Sequence, residues 1–268
     1  MHSADQMSIA ELDALLRFHA DAGANEVLAD APFDRFAQQP KPATPNPKRP
    51  VTPAPIKTPP PTVVVPDSSV IESASQIAQA SSNLDTLREA VANFEGCNLR
   101  NTARNLAFES GTRGSQIMLV GGAASRDDDA TGVPFSGLDG ILLKNMFAAI
   151  GIDAATQTYQ GLSVPWAPPG GGPPTPLHLN VMRPFIVRQI ELARPEILVV
   201  MGNVAARHLV DDRSTVLKMR GQWTDMQIDG WSGPTTVMHD PNHLRENPNA
   251  KRATWLDLLA LKKRLTQG

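Results

Sequence analysis

A chain of 268 residues with 41% hydrophobic content can bury a sizeable core, but 24 prolines and a single tyrosine leave part of it without material for packing. A formal net charge of −2 excludes a global basic footprint for nucleic acid, so any such function needs a local surface. Cys97 is the only cysteine, which excludes an internal disulfide and any site built from four cysteines of this chain, and it suits a reducing compartment.

In chain order, residues 1–36 hold one amphipathic segment. Ser8 to Ala22 places Ile9, Leu12, Leu15, Leu16 and His19 at helical spacing, with Ser8 as N-cap before Glu11. Such a helix can dock on the domain or on a protein partner. The N-terminus carries acidic residues where a secretory signal is basic and apolar, and no run of about 18 apolar residues occurs. The expectation is a soluble, cytoplasmic protein with no membrane partner. Residues 37–80 read as a proline-rich disordered linker, because the text from Pro40 to Pro66, PKPATPNPKRPVTPAPIKTPPPTVVVP, favours extended, solvated backbone.

Residues 81–268 change texture. NLDTLREAVANF predicts a helix with Leu84, Leu87, Val91 and Phe94 on one face, and SQIMLVGG a buried strand ending in glycines. SGLDGILLKNMFAAIGI and MRPFIVRQIELARP read as helices closed by Gly151 and Pro195. EILVVMG is a second buried strand, NVAARHLVD a helix, TTVMHDP a strand into a loop, and NPNAKRATWLDLLALKKRL a terminal helix with Asn247 and Pro248 at its start. Helices alternating with continuous apolar strands predict an α/β fold, a three-layer α/β/α sandwich with a central, mostly parallel sheet. Ligands of such sheets sit beyond the carboxyl ends of the strands. Three segments leave strands there: Gly121 to Gly137, Gly202 to Asn203, and His239 to Arg245.

The first of these, GGAASRDDDATGVPFSG, follows the apolar run Ile117 to Val120. Glycines directly after a strand let a backbone approach a ligand, and they equally suit a tight strand-to-helix turn. The segment has neither the lysine of a P-loop nor G-x-G-x-x-G spacing.

Five segments in sequence order carry a resemblance: LVGGAASRDDDATGVPFSG, VPWAPPGG, RPEILVVMGNVAARHL, RGQW and HDPNHLRENPNAKRATWLDLL. Together they resemble uracil-DNA glycosylases of the family 4 type, over roughly Leu84 to Leu265. The resemblance implies a uracil-DNA glycosylase-like sandwich and a hydrolase of base excision repair. Its partner would be DNA containing uracil or another damaged base, flipped out of the duplex or taken from a single strand.

Carried over by position, the first motif places Gly121 and Ala123 around the flipped base and Phe135 as the ring that stacks on it. Gly122 stands where the family has a glutamate. Asp127, Asp128 and Asp129 overlap the family's acidic pair; they either position a water or form a solvated acidic loop. Leu162 falls where the family has an asparagine that reads the uracil edge, and it cannot hydrogen-bond a base. Trp166 either stacks on nucleic acid or packs in its loop. His239 matches the histidine expected to donate to the uracil O2, with Asp240 where the family has proline. Asn242, His243, Leu244 and Arg245 correspond to the loop that enters the DNA groove, with Leu244 as wedge and Arg245 as phosphate partner. Lys251, Arg252, Lys262, Lys263 and Arg264 would extend a basic surface or complement the helix dipole.

Many relatives hold an iron–sulfur cluster with four cysteines. Cys97 sits where one belongs and Met182 near another, so no 4Fe-4S cofactor and no metal is expected. Three readings follow: a working glycosylase, a DNA-binding member with impaired hydrolysis because the expected glutamate and asparagine are Gly122 and Leu162, and a glycosylase with altered base choice.

Overall fold

The structure, a computed structural model, describes residues 68–228 and 230–267. The expected N-terminal helix and the proline-rich text up to residue 67 lie outside the described residues. Among those described, no helix is long and apolar enough to cross a membrane.

Among the described residues, six strands form one mixed sheet. They are β1 (Glu109–Gly111), β2 (Ile117–Ala123), β3 (Thr158–Val164), β4 (Ile197–Met201), β5 (Trp223–Ile228) and β6 (Trp231–Met238), in the spatial order β1-β3-β2-β4-β6-β5. The inner four run parallel, with Val120 beside Gly161 on one side and Val200 on the other, and Val200 beside Val237. The two edge strands are antiparallel. The expected mostly parallel sheet is therefore present.

Alternation along the strands builds the two helical layers. On one face Met118, Val120, Leu198, Val200 and Val237 pack with Ile186 and Ile190 of one helix and Ala205, Ala206 and Leu209 of another. On the other face Ile117, Leu119, Ile197, Val199, Met201 and Met238 meet Leu143, Phe147, Leu258 and Leu261. Each such fully buried aliphatic side chain stabilises the fold by about 1.5–3 kcal/mol relative to exposure.

The helices are α1 (Ser68–Ala80), α2 (Leu84–Asn93), α3 (Arg126–Thr131), α4 (Gly137–Ala148), α5 (Pro176–Ala193), α6 (Gly202–Leu209), α7 (Val216–Met219), α8 (Pro241–Glu246) and α9 (Lys251–Gln267). Three of them correct the sequence reading. The linker does not extend to residue 80: α1 packs on α5, with Ala74 and Ala78 buried beside Phe94 and Phe185. Its two buried apolar residues are small alanines, and serine and glutamine dilute the rest, which hides their helical spacing. Helix α5 begins at Pro176, well before Met182, because Thr175 and His178 form a reciprocal capping box at its start. The segment after Asp240 is the helix α8, which has consequences for the site below.

Strand β3 has no apolar run, yet every one of its residues is buried. Two of its polar side chains are satisfied internally, Thr158 Oγ1 and Gln160 Nε2 both donating to the Ala154 carbonyl at 2.6 and 2.8 Å, whereas the buried Ser163 hydroxyl has no partner among the described residues. The RGQW segment also has a structural use. Arg220 grips the buried Asp257 carboxylate through Nε and Nη2 at 3.0 and 2.9 Å, tying the end of α7 to α9.

His208 on α6 is 7% exposed, and neither ring nitrogen makes a hydrogen bond of ordinary geometry. Burial first, then the Arg183 guanidinium, push its pKa down to about 4 from 6.5, against a weaker opposing pull from the Leu179 carbonyl. The unfolded chain therefore takes up this proton first as pH falls. The stability associated with the neutral ring is fully present above pH 6.5 and is lost between there and pH 4. We expect the stability difference between wild type and His208→Leu, from urea unfolding, to shift against wild type by ~2 kcal/mol between about pH 7 and about pH 5. A difference independent of pH would contradict this.

Candidate active site

The parallel strands β2, β3, β4 and β6 all end at the same edge of the sheet, and the segments leaving β2, β4 and β6 meet there around one cleft of about 400 Å³. That is the place and the size at which open α/β sheets hold ligands. The three strand-end segments singled out in the sequence thus share one cavity, joined by the glycine–proline loop at Gly171 to Pro174.

The inner end of the cleft is apolar and tight. A Cβ at residue 121 would lie 2.8 Å from both Leu162 Cδ2 and Phe135 Cζ, so only glycine lets these two side chains close over the strand end. Leu162 is 4% exposed and belongs to a small cluster with Ala107 and Ala124, against which Phe135 packs. Phe135 itself has φ +54, a left-handed conformation rare for a bulky residue, which costs on the order of 1–3 kcal/mol and is held by its surroundings. Gly122 and Ala123 line the same cleft. A Cβ at residue 122 would sit 3.0 Å from Val204 Cβ, so Val204 occupies the space that a larger residue there would need.

The three consecutive aspartates separate. Asp128 lines the cleft and is 4% exposed. Its carboxylate is clasped by two backbone N–H groups, Ser136 to Oδ1 at 2.6 Å and Ser125 to Oδ2 at 2.8 Å, closing a capping box on α3. Burial pushes its pKa up, and the two amides oppose that shift. Asp129 faces away, accepting the Arg104 N–H at 2.7 Å and pinning the preceding loop. The Asp127 carboxylate lies against Gly137 at the start of α4. None of the three is a purely solvated charge, and only Asp128 reaches the cleft.

At the end of β6 two neighbouring residues take different places. Asp240 lines the cleft; His239 does not. His239 is 4% exposed and stacks on His243, ring centroids 4.5 Å apart and planes 12° apart. Burial, then His243 and Arg220, hold its pKa below the ordinary histidine value. Asp240 caps α8, its Oδ1 accepting the His243 N–H at 2.9 Å, and Pro241 opens the helix.

Helix formation also redirects the expected groove loop. Pro241 and Leu244 fall on its inner face, three residues apart, and Leu244 is 1% exposed. Leu244 borders a small apolar cavity with Leu142, Met146 and Leu258, so it is a packing residue and not a free wedge. Asn242 and Arg245 lie on the exposed face, His243 between. Arg245 is paired with Asp139 at 2.7 Å, which fastens α8 to α4 beside the cleft mouth. Trp166 is 2% exposed and packs in the interior with Cys97 and Met182. The Cys97 thiol is buried among apolar side chains, and burial raises its pKa. One cysteine and a methionine in such a cluster do not fit a four-thiolate iron–sulfur group. Arg264 sits over the Trp223 ring at 5.3 Å, so part of the terminal basic cluster serves packing.

Comparison with known proteins agrees with this geometry. Residues 108–259, more than half of the chain, match the model of the uracil DNA glycosylase superfamily. The type-4 uracil-DNA glycosylase of Archaeoglobus fulgidus is 27% identical over 173 residues, covering 63% of this chain and 86% of the relative. That of Thermotoga maritima is 28% identical over 178 residues, covering 65% and 90%, and that of Saccharolobus solfataricus is 24% identical over 188 residues, covering 69% and 87%. The matched region runs from just before β1 to within α9 and contains the whole sheet and every residue of the cleft. The chain belongs to the uracil DNA glycosylase superfamily.

Proposed function

We propose that this chain is a DNA glycosylase that takes a base extruded from DNA, or presented on a single strand, into the cleft at the carboxyl ends of β2, β4 and β6. There it hydrolyses the N-glycosidic bond and leaves an abasic site, an opening step of base excision repair. The observation that carries this reading is the cleft itself: an apolar inner end made by Gly121, Phe135 and Leu162, with carboxylates and amides on its walls. A stacked base suits the first part, and the reacting sugar suits the second. The relatives named type-4 uracil-DNA glycosylases support the same class of reaction.

A second reading, altered base choice, is favoured by Leu162. An apolar side chain at the inner end offers no donor or acceptor for the uracil edge, so discrimination there rests on shape and stacking. Uracil is then one of several acceptable bases. Asn242 and the outer face of α8 supply contacts for the DNA backbone, and Arg245 adds one through the guanidinium N–H groups that its bond to Asp139 leaves over.

The test uses the full chain with oligonucleotides carrying uracil, hypoxanthine or xanthine, single-stranded and paired, followed by alkaline cleavage. Cleavage at one or more of these bases is expected. DNA binding with every oligonucleotide intact would overturn the hydrolase reading and favour an impaired, DNA-binding member of the superfamily.

A further inference from the structure

We infer that Asp240 supplies the carboxylate that activates the attacking water in this cleft, a role that rests on the glycosylase reading above. Among the described residues, three carboxylates line the cleft: Asp128, Asp139 and Asp240. Asp128 has both oxygens committed to backbone N–H groups. Asp139 is engaged by Arg245. Asp240 commits only Oδ1, to the His243 N–H. Its Oδ2 accepts no hydrogen bond from the described residues and lies against Gly202, where a Cβ would collide with it. Gly202 has φ +84 and opens α6, so the strand-to-helix turn at 202 and the cap of α8 hold the carboxylate from two sides. A fixed acceptor with free lone pairs on a cleft wall is what orienting a water requires.

Residue 122 makes no such offer. Gly122 has no side chain, and Val204 fills the adjoining space. The carboxylate of this cleft has therefore been supplied from the end of β6. In the reaction, the water oxygen bonds to C1′ of the deoxyribose as the C1′–N bond breaks and its electron pair leaves with the base. Asp240 takes one proton from the water, and the departing base nitrogen is protonated from solvent. Asp240 then returns its proton to solvent, so one water is consumed and an abasic sugar and a free base result. Two contacts hold the Asp240 carboxylate: the cap bond from the His243 N–H and the close approach of Gly202 at the start of α6.

The decisive variant is Asp240→Asn, because asparagine caps a helix as well as aspartate and leaves α8 in place. With the full chain and whichever of the uracil, hypoxanthine or xanthine oligonucleotides is cut, single-turnover excision should fall about 10²–10⁴-fold, while affinity for an oligonucleotide carrying a tetrahydrofuran abasic analogue stays within about threefold. Excision by Asp240→Ala should be partly restored by added formate. An Asp240→Asn rate within about threefold of wild type, on a wild type that does cut, would overturn the role of Asp240 alone. A wild type that binds the analogue but cuts none of the oligonucleotides would overturn the glycosylase reading and this role with it.

Discussion

Uracil excision should rise about 10²-fold when Gly122→Glu, Leu162→Asn and Val204→Ala are combined, and by less than about threefold when Gly122→Glu is made alone. The difference comes from space. A Cβ at 122 would meet Val204 Cβ at 3.0 Å and Cγ1 at 3.3 Å, so a glutamate there must displace a β-branched side chain with little rotamer freedom before its carboxylate can point into the cleft. Alanine at 204 opens that space. Leu162→Asn supplies the missing hydrogen-bonding edge, but within the cluster of Ala107 and Ala124 it also buries an amide that has no partner until a base enters. The free triple variant should therefore be less stable by about 1–3 kcal/mol and regain that on binding. Single-turnover excision and urea unfolding of the single and triple variants check both parts. A full gain from Gly122→Glu alone would show that Val204 is no obstacle.

Leu244→Ala carries the second large effect, and it falls on stability. With the side chain 1% exposed between α8, α4 and α9, its truncation should cost about 2–5 kcal/mol. A groove-entering wedge would behave in the opposite way, losing DNA affinity at unchanged stability. The urea midpoint and the dissociation constant for abasic-analogue DNA, measured on the same preparations below the unfolding transition, separate the two. A lowered midpoint with unchanged affinity is expected, and lost affinity at an unchanged midpoint would restore Leu244 to the interface.

The residues that misled sequence reasoning share a cause. Strands β2 and β4 were legible because their apolar runs are continuous, as buried parallel strands require, and β6 only through its end, Thr235 to Met238. Strand β3 was not, since Thr158, Gln160 and Ser163 look solvent-facing until the partners of Thr158 and Gln160 at Ala154 are seen. At the cleft, Gly121 was legible as a glycine directly after a buried strand and Phe135 through the family resemblance, and both line the cavity. Which of His239 and Asp240 lines the cleft is not legible, because strand alternation stops at that point. Val237 and Met238 pack on opposite faces of the sheet, and once α8 begins, spacing along the chain no longer tells which of two neighbours points inward. Leu244 was misplaced for the same reason: a capped, proline-led turn of helix puts Pro241 and Leu244 inside, where an open loop would have exposed them.

The central claim is that the cleft hydrolyses a glycosidic bond. Its most direct test is incubation of the full chain with a uracil-containing single-stranded oligonucleotide in water enriched in oxygen-18, followed by mass spectrometry of the products. Free uracil together with an abasic strand carrying one heavy oxygen at C1′ is the expected result. An oligonucleotide of unchanged mass, recovered bound to folded protein, would contradict it.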